Sequence, residues 1–176
     1  MPRWPWLEHT FNFDYPATKF PEILERLRGT PARVAALLEG LPPEVLVRRD
    51  GRGWSMQENV GHLADTHRLM FIRLDEFFAG AAVLTAADQK NRPTQASDHN
   101  ARPAADVLAE LRDVRARFVA RLEACTEAGW SRTALHPRLN QPMRLVDHAY
   151  FCAEHDDYHL ARISALIRTF APCKRP

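Results

Sequence analysis

The sequence predicts an all-α fold, a four-helix bundle with one long crossover link. Three observations carry that prediction. Four stretches of bundle length repeat apolar residues every three or four positions, the period of a helix with one buried face. No stretch reads as a convincing strand. Turn and cap residues fall between the four stretches rather than inside them, so each helix packs on its neighbours around one core. At 176 residues the chain has the length of one well-packed domain.

Residues 1–20 have no clear period but carry Trp4, Trp6, Phe11, Phe13, Tyr15 and Phe20. So many aromatics predict an arm draped over the body, across a cleft, rather than a disordered tail. The first helical pattern opens at Pro21, a suitable first-turn residue. Its face is Ile23, Leu24, Leu27, Val34, Leu37, Leu38 and Leu41. Gly29 and Pro31 leave two alternatives, one kinked helix or two short ones. Gly40 with Pro42-Pro43 ends the segment, and Asp50-Gly51-Arg52-Gly53 forms the tip of the next link.

Ser55 and Glu58 form a capping box that starts the second helix. Trp54 precedes it, placed to staple only loosely to Asn59 or Val60. Met56, Val60, Leu63, His67, Met70, Leu74 and Phe77 form its stripe, and Gly80 closes it. Residues 81–102 are the long crossover link, with room for a short helix near Val83 to Lys90. The third helix opens at Pro103, follows Val107, Leu111, Val114, Phe118, Leu122 and Cys125, and ends at Gly129. The fourth starts near Pro142 and follows Leu145, Ala149, Cys152, Asp156, Leu160, Ile163, Ile167 and Phe170, with Pro172 as its stop. The reading is one domain: an arm (1–20), a bundle (21–170) and a tail (171–176).

Composition narrows the function classes. A net charge of +2 is too even for a nucleic-acid footprint, which needs clustered basic residues. No window of 18 uninterrupted apolar residues spans a membrane, and Met1 to Thr10 lacks a signal core, so the expected location is the cytoplasm. Cys125, Cys152 and Cys173 are odd in number and irregularly spaced, which argues against a disulfide framework. Cys125 and Cys152 read as core fillers.

The chemistry centres on Glu154-His155-Asp156-Asp157-Tyr158-His159. His155 and His159 are one helical turn apart on the same side, and imidazole is the commonest transition-metal ligand. The plainer reading is two polar residues at the edge of a helix face. A third ligand would come from a facing helix or link: His62, His67, His99 or His136. Amphipathicity favours His67, on the apolar stripe, over His62, about 125° from its centre. Against that, His67 also reads as a core histidine. Asp156 sits mid-stripe and needs a cation or several donors, for which His67 and Arg162 are the candidates. Asp65, Glu154, Asp157 and Tyr158 are the nearby proton acceptors, each equally readable as a solvated residue or as a group orienting a ligand. His148, two turns before His155, could line the mouth of a cleft but reads more simply as surface. His9 and His99 have no evident partner, and Cys152 with a neighbouring His has no supporting motif. The chain has no Gly-x-Ser-x-Gly elbow and no phosphate-binding glycine loop.

Gly53-Trp54-Ser55, Glu58, Gly61-His62-Leu63-Ala64-Asp65 and Glu154 through Ile163 resemble the DinB/YfiT superfamily, across roughly residues 20 to 170. The resemblance implies a four-helix bundle holding one divalent ion, Ni2+ or Zn2+. It implies ligands at His62, His155 and His159, and so favours His62 over His67. Three imidazoles with an open position describe a catalytic site. The implied function is a metal-dependent enzyme acting on a small molecule by thiol transfer or hydrolysis, with a low-molecular-weight thiol as a candidate partner. The alternative is a non-catalytic, metal-binding or stress-related bundle. Such bundles often self-associate, and the aromatic arm could serve a homodimer interface.

Overall fold

The computed structural model describes residues 5–171. The readings of Trp4, Pro172 and Cys173 lie outside the described residues. In chain order the elements are α1 (Phe20–Leu38), α2 (Pro43–Leu46), α3 (Met56–Asp65), α4 (His67–Ala79), α5 (Arg92–Ala96), α6 (Ala104–Glu123), α7 (Glu127–Trp130), β1 (Thr133–His136), β2 (Gln141–Arg144) and α8 (Leu145–Phe170). The four rods of the predicted bundle are α1, α3 with α4, α6, and α8. Both α1 and α3 pack against α6 and α8. No helix among the described residues is long and apolar enough to cross a membrane.

Several boundaries differ from the sequence prediction, each for a local reason. α1 runs unbroken through Gly29 and Pro31, which removes the two-helix alternative. The second rod is interrupted at Thr66. There the Thr66 hydroxyl and His67 Nδ1 both bond the Leu63 carbonyl, at 3.0 and 2.8 Å. That carbonyl is where the His67 backbone N–H would pair in an unbroken helix, so side chains compete with the ladder. α6 stops at Glu123 rather than Gly129, and Thr126 caps the separate α7 by accepting from the Gly129 N–H.

A two-stranded antiparallel hairpin, β1–β2, stands where no strand was predicted. Its strands have four residues each, too short for a period-2 signal to emerge. Asn140, in the left-handed region at φ +50, belongs to the hairpin's turn. Pro142 therefore lies in β2, and α8 begins at Leu145, capped by Asp147, which accepts from the Arg144 N–H at 2.8 Å. No helix forms over Val83 to Lys90. Val83 instead bridges Leu135 of β1, and the link's short helix is α5, opened by Pro93.

Two apolar clusters fill the bundle. One gathers Leu27, Met70, Leu74, Phe77, Phe118 and Cys152. The other gathers Val34, Met56, Leu63, Leu111, Leu160 and Ile163. A polar layer of Thr30, Arg115 and Asp156 joins three of the rods, and His67 is buried on the fourth. Asp156 is 0% exposed and Arg115 is 1% exposed. Arg115 Nη2 donates to Asp156 at 2.8 Å, and the Thr30 hydroxyl donates to it at 2.7 Å. Asp156 thus pairs with neither His67 nor Arg162. Arg162 approaches Asp50 at 3.7 Å instead.

Candidate metal centre

Every residue of α3 from Met56 to Ala64 is buried, although only one face of the helix is apolar. The crossover link covers the polar face. Gln57 Nε2 donates to the His99 and Arg102 carbonyls at 2.5 and 2.7 Å, and the Ser55 hydroxyl donates to Asn100 at 2.7 Å. His99 lies flat enough against α3 that a Cβ on Gly61 would overlap its ring. His62 therefore points into an interior made by the link and α8, not into water. It is 6% exposed.

His62, His155 and His159 meet there, each offering one ring nitrogen, with those atoms within 4.8 Å of one another. His155 Nε2 lies 3.4 Å from His62 Nε2 and 3.2 Å from His159 Nε2. A tetrahedral ion bound to nitrogen at about 2.0–2.1 Å requires ligand separations of about 3.3–3.4 Å. The opposite ring edges are held in place. His159 Nδ1 lies 2.8 Å from Asn59 Oδ1, and the Asn59 amide nitrogen donates to the Ser55 carbonyl at 2.6 Å. The His159 Nδ1–H is thus the donor, and its Nε2 keeps a lone pair for a metal. His62 Nδ1 pairs with the Thr94 hydroxyl at 3.0 Å. Burial lowers the His62 pKa to about 4 and holds His155 well below the ordinary value, so both are in the neutral form that ligates. Donor type, the two separations at His155 and the protonation of His62 and His155 fit one divalent ion. Trp54 packs over His62 and His159 rather than stapling α3, with ring centroids 4.6 and 6.1 Å away.

Asn59→Ala removes the group that orients His159 and should weaken Zn2+ binding by about 10- to 100-fold with the fold retained. Competition with a chromophoric chelator checks this, and an unchanged affinity would contradict it.

The other candidates go elsewhere. His67 packs in the core, with its ring edge-on to Phe118. His99 Nε2 pairs with Asp65 at 2.9 Å. Glu154 and Asp157 form ion pairs with Arg26, and Asp157 also pairs with Arg33, on α1. Of the four predicted proton acceptors, only Tyr158 lines the cavity at the three histidines. His148 is buried, not on the surface, and lies 3.8 Å from Cys152 Sγ. Burial pushes that thiol up to about 12. His9 packs against Trp6 and Tyr158.

A family model described as the DinB superfamily matches residues 26–163. The chain belongs to the DinB superfamily. Among members of known sequence, it is 25% identical over 152 residues to YfiT of Bacillus subtilis (strain 168), covering 85% of this chain and 83% of that one. It is 27% identical over 154 residues to GK0616 of Geobacillus kaustophilus (strain HTA426), covering 86% of each. Both relatives are provisionally named metal-dependent hydrolases. The solved structure of B. subtilis YfiT, described as an unusual four-helix bundle, superposes with a TM-score of 0.78 at 24% identity, over 92% of this chain and 93% of that one. The mycothiol-dependent maleylpyruvate isomerase superposes with a TM-score of 0.66 at 13% identity, over 87% of this chain and 62% of that one. These two likenesses establish the fold.

In this DinB-superfamily chain the three histidines open onto a cavity of about 940 Å³. The described part of the arm covers one side of it. Trp6 packs on His155, Phe151 and Tyr158 with centroid distances of 5.0, 5.1 and 5.6 Å. Arg138 Nη1 secures the arm by donating to the Leu7 carbonyl at 3.0 Å. Sequence reasoning missed Thr94, which sits in the link, and Arg73, Arg115 and Arg138. Arg73 and Arg115 left a trace, because each occupies a position spaced three or four residues from the apolar stripe of its helix.

Three of the buried histidines outside the His62, His155 and His159 cluster set a pH dependence. Burial, aided by Arg115 for His67 and by Arg73 for His136 and His148, holds His67 and His136 to about 3 and His148 well below its ordinary value. In the unfolded chain each titrates near pH 6.5. Between those limits the unfolded state binds more protons, so stability is full above about pH 6.5 and falls as pH drops below it. The expected loss at pH 5.5 is on the order of 1 kcal/mol per histidine. Urea midpoints at pH 7.5 and 5.5 check this; equal midpoints would contradict it.

Proposed function

We propose that this chain is a metal-dependent enzyme acting on a small molecule, with one divalent ion, Ni2+ or Zn2+, held by His62, His155 and His159. The observation that carries the reading is the convergence of three imidazole nitrogens on the wall of a cavity large enough for a substrate. A bound ion supplies Lewis acidity, polarising a carbonyl or lowering the pKa of a coordinated water or thiol. The protein's part is positional. Asn59 and Thr94 fix two imidazole planes, and Trp54 and Trp6 exclude water from two sides of the histidine cluster. Carboxylates that could disturb the site, Glu154 and Asp157, are committed to arginines on α1.

Hydrolysis and thiol transfer are the two reaction classes within this reading. The names of the two bacterial relatives support the first, and the mycothiol-dependent isomerase, sharing the fold, supports a low-molecular-weight thiol as partner in the second. The reading places the protein in the cytoplasm, where the free thiols Cys125 and Cys152 stay reduced. A homodimer belongs to it, supported by the exposed Ile72, Phe78 and Val83.

The test is turnover of metal-loaded protein against paired panels of esters and of thiol–electrophile mixtures, beside His159→Ala. The expected result is activity in one panel that His159→Ala lowers at least about 100-fold while circular dichroism is unchanged. Equal turnover in the two proteins would overturn the reading.

A further inference from the structure

The stripe of α4 carries Arg73 between Met70 and Phe77, and the side chain is 3% exposed. Its Nε donates to the Thr85 carbonyl at 2.9 Å, and its Nη1 lies 3.2 Å from His136 Nε2. No carboxylate among the described residues forms an ion pair with it. Glu76, one turn further along α4, is taken by the Thr85 N–H and hydroxyl. Arg138, in the hairpin turn, donates Nη1 to the Leu7 carbonyl, while its Nη2 is buried with no partner among the described residues. That guanidinium lies 5.7 Å from the Trp6 ring and 5.6 Å from the Phe151 ring.

Both arginines line the cavity that holds the three histidines. Burial lowers the pKa of each. His136 and His148, the neighbouring imidazoles, are neutral and offset none of this charge. The cavity's other charged residues are Arg52, Arg162, Glu8 and Asp88, and Asp88 is occupied by Arg92 at 2.9 Å. A buried guanidinium at Arg73 and a half-buried one at Arg138, without a carboxylate, are costly unless an anion completes them.

We propose that Arg73 and Arg138 form a seat for the carboxylate of an organic acid whose apolar body lies along the same cavity toward the three histidines. The planar guanidinium fork matches a carboxylate. Leu69, Met70, Trp6 and Phe151 supply apolar wall for the rest of the molecule. Contact runs from the seat to the centre through His136 on Phe151, Phe151 on Trp6, and Trp6 on His155, each with ring centroids 5.0 or 5.1 Å apart. The inference narrows the substrate class of the proposed enzyme and rests on that reading for the reaction, whereas the seat itself requires no ion.

The experiment is calorimetric binding of naphthalene-1-carboxylate and its neutral isostere naphthalene-1-carboxamide to the full chain. Chelator-treated and Zn2+-loaded protein are compared, with metal content measured in each. The seat predicts at least tenfold tighter binding of the carboxylate in both forms. Arg138→Met should bring the ratio near one. Arg73→Met should do the same, and Arg138→Met decides alone if that variant fails to fold. Equal affinities, no binding of either compound, or a preference that survives Arg138→Met would overturn the seat. So would a preference seen only with Zn2+, because the ion would then be the anion's partner. A preference in protein that takes up no metal supports the seat and removes the metal reading instead.

Discussion

His62→Ala is expected to lose stoichiometric binding of a divalent ion, whereas His67→Ala should keep it and lose stability. The two residues are five apart, and the sequence alone makes His67 the better core-facing candidate. The geometry separates them. His62 Nε2 lies 3.4 Å from His155 Nε2, so its removal takes one of three donors and should weaken metal binding by more than about 100-fold, beyond the loss expected from an orienting residue. His67 directs Nδ1 to the Leu63 carbonyl and packs its ring near Phe71 and Phe118. Its truncation leaves a cavity in the bundle and should cost about 2–4 kcal/mol. Elemental analysis and urea unfolding of both variants check the pair. Metal lost with His67→Ala and retained with His62→Ala would move the centre.

Asp156→Ala should be among the most damaging single substitutions outside the centre. It strands Arg115, whose Nε and Nη1 already lack partners among the described residues, as an uncompensated charge in the middle of the bundle. Breaking one side of a buried pair costs about 3–5 kcal/mol, or roughly 6–20 °C in Tm for a domain of this size. Replacing both members, Asp156→Leu with Arg115→Leu, should recover much of that loss, because the pair's desolvation penalty disappears with it. Calorimetry distinguishes the outcomes. A loss under about 1 kcal/mol for Asp156→Ala would mean that the pair is not what closes this layer.

The four rods were legible because each buries one long stripe, and a period of 3.6 sustained over many residues is hard to mimic. The hairpin was not, since Thr133–His136 and Gln141–Arg144 are too short for a period to show. Thr66 interrupts a stripe that continues through it, because the break lies in side-chain bonds to the Leu63 carbonyl rather than in the apolar pattern. His155 and His159 were legible from their spacing. His62 was not legible from amphipathicity, which reports the face a helix turns to the core. The opposite face of α3 is covered by Thr94, His99 and Asn100, supplied from the far end of the link. Only the resemblance singled out His62. Arg115, the partner of Asp156, was overlooked because an arginine beside an apolar stripe ordinarily reaches out to water.

Metal content of the chain purified without an affinity tag tests the central claim most directly. The account predicts close to one equivalent of a divalent ion per chain, removed by chelation and restored by Ni2+ or Zn2+. Protein that carries no stoichiometric metal and rebinds neither ion would contradict it.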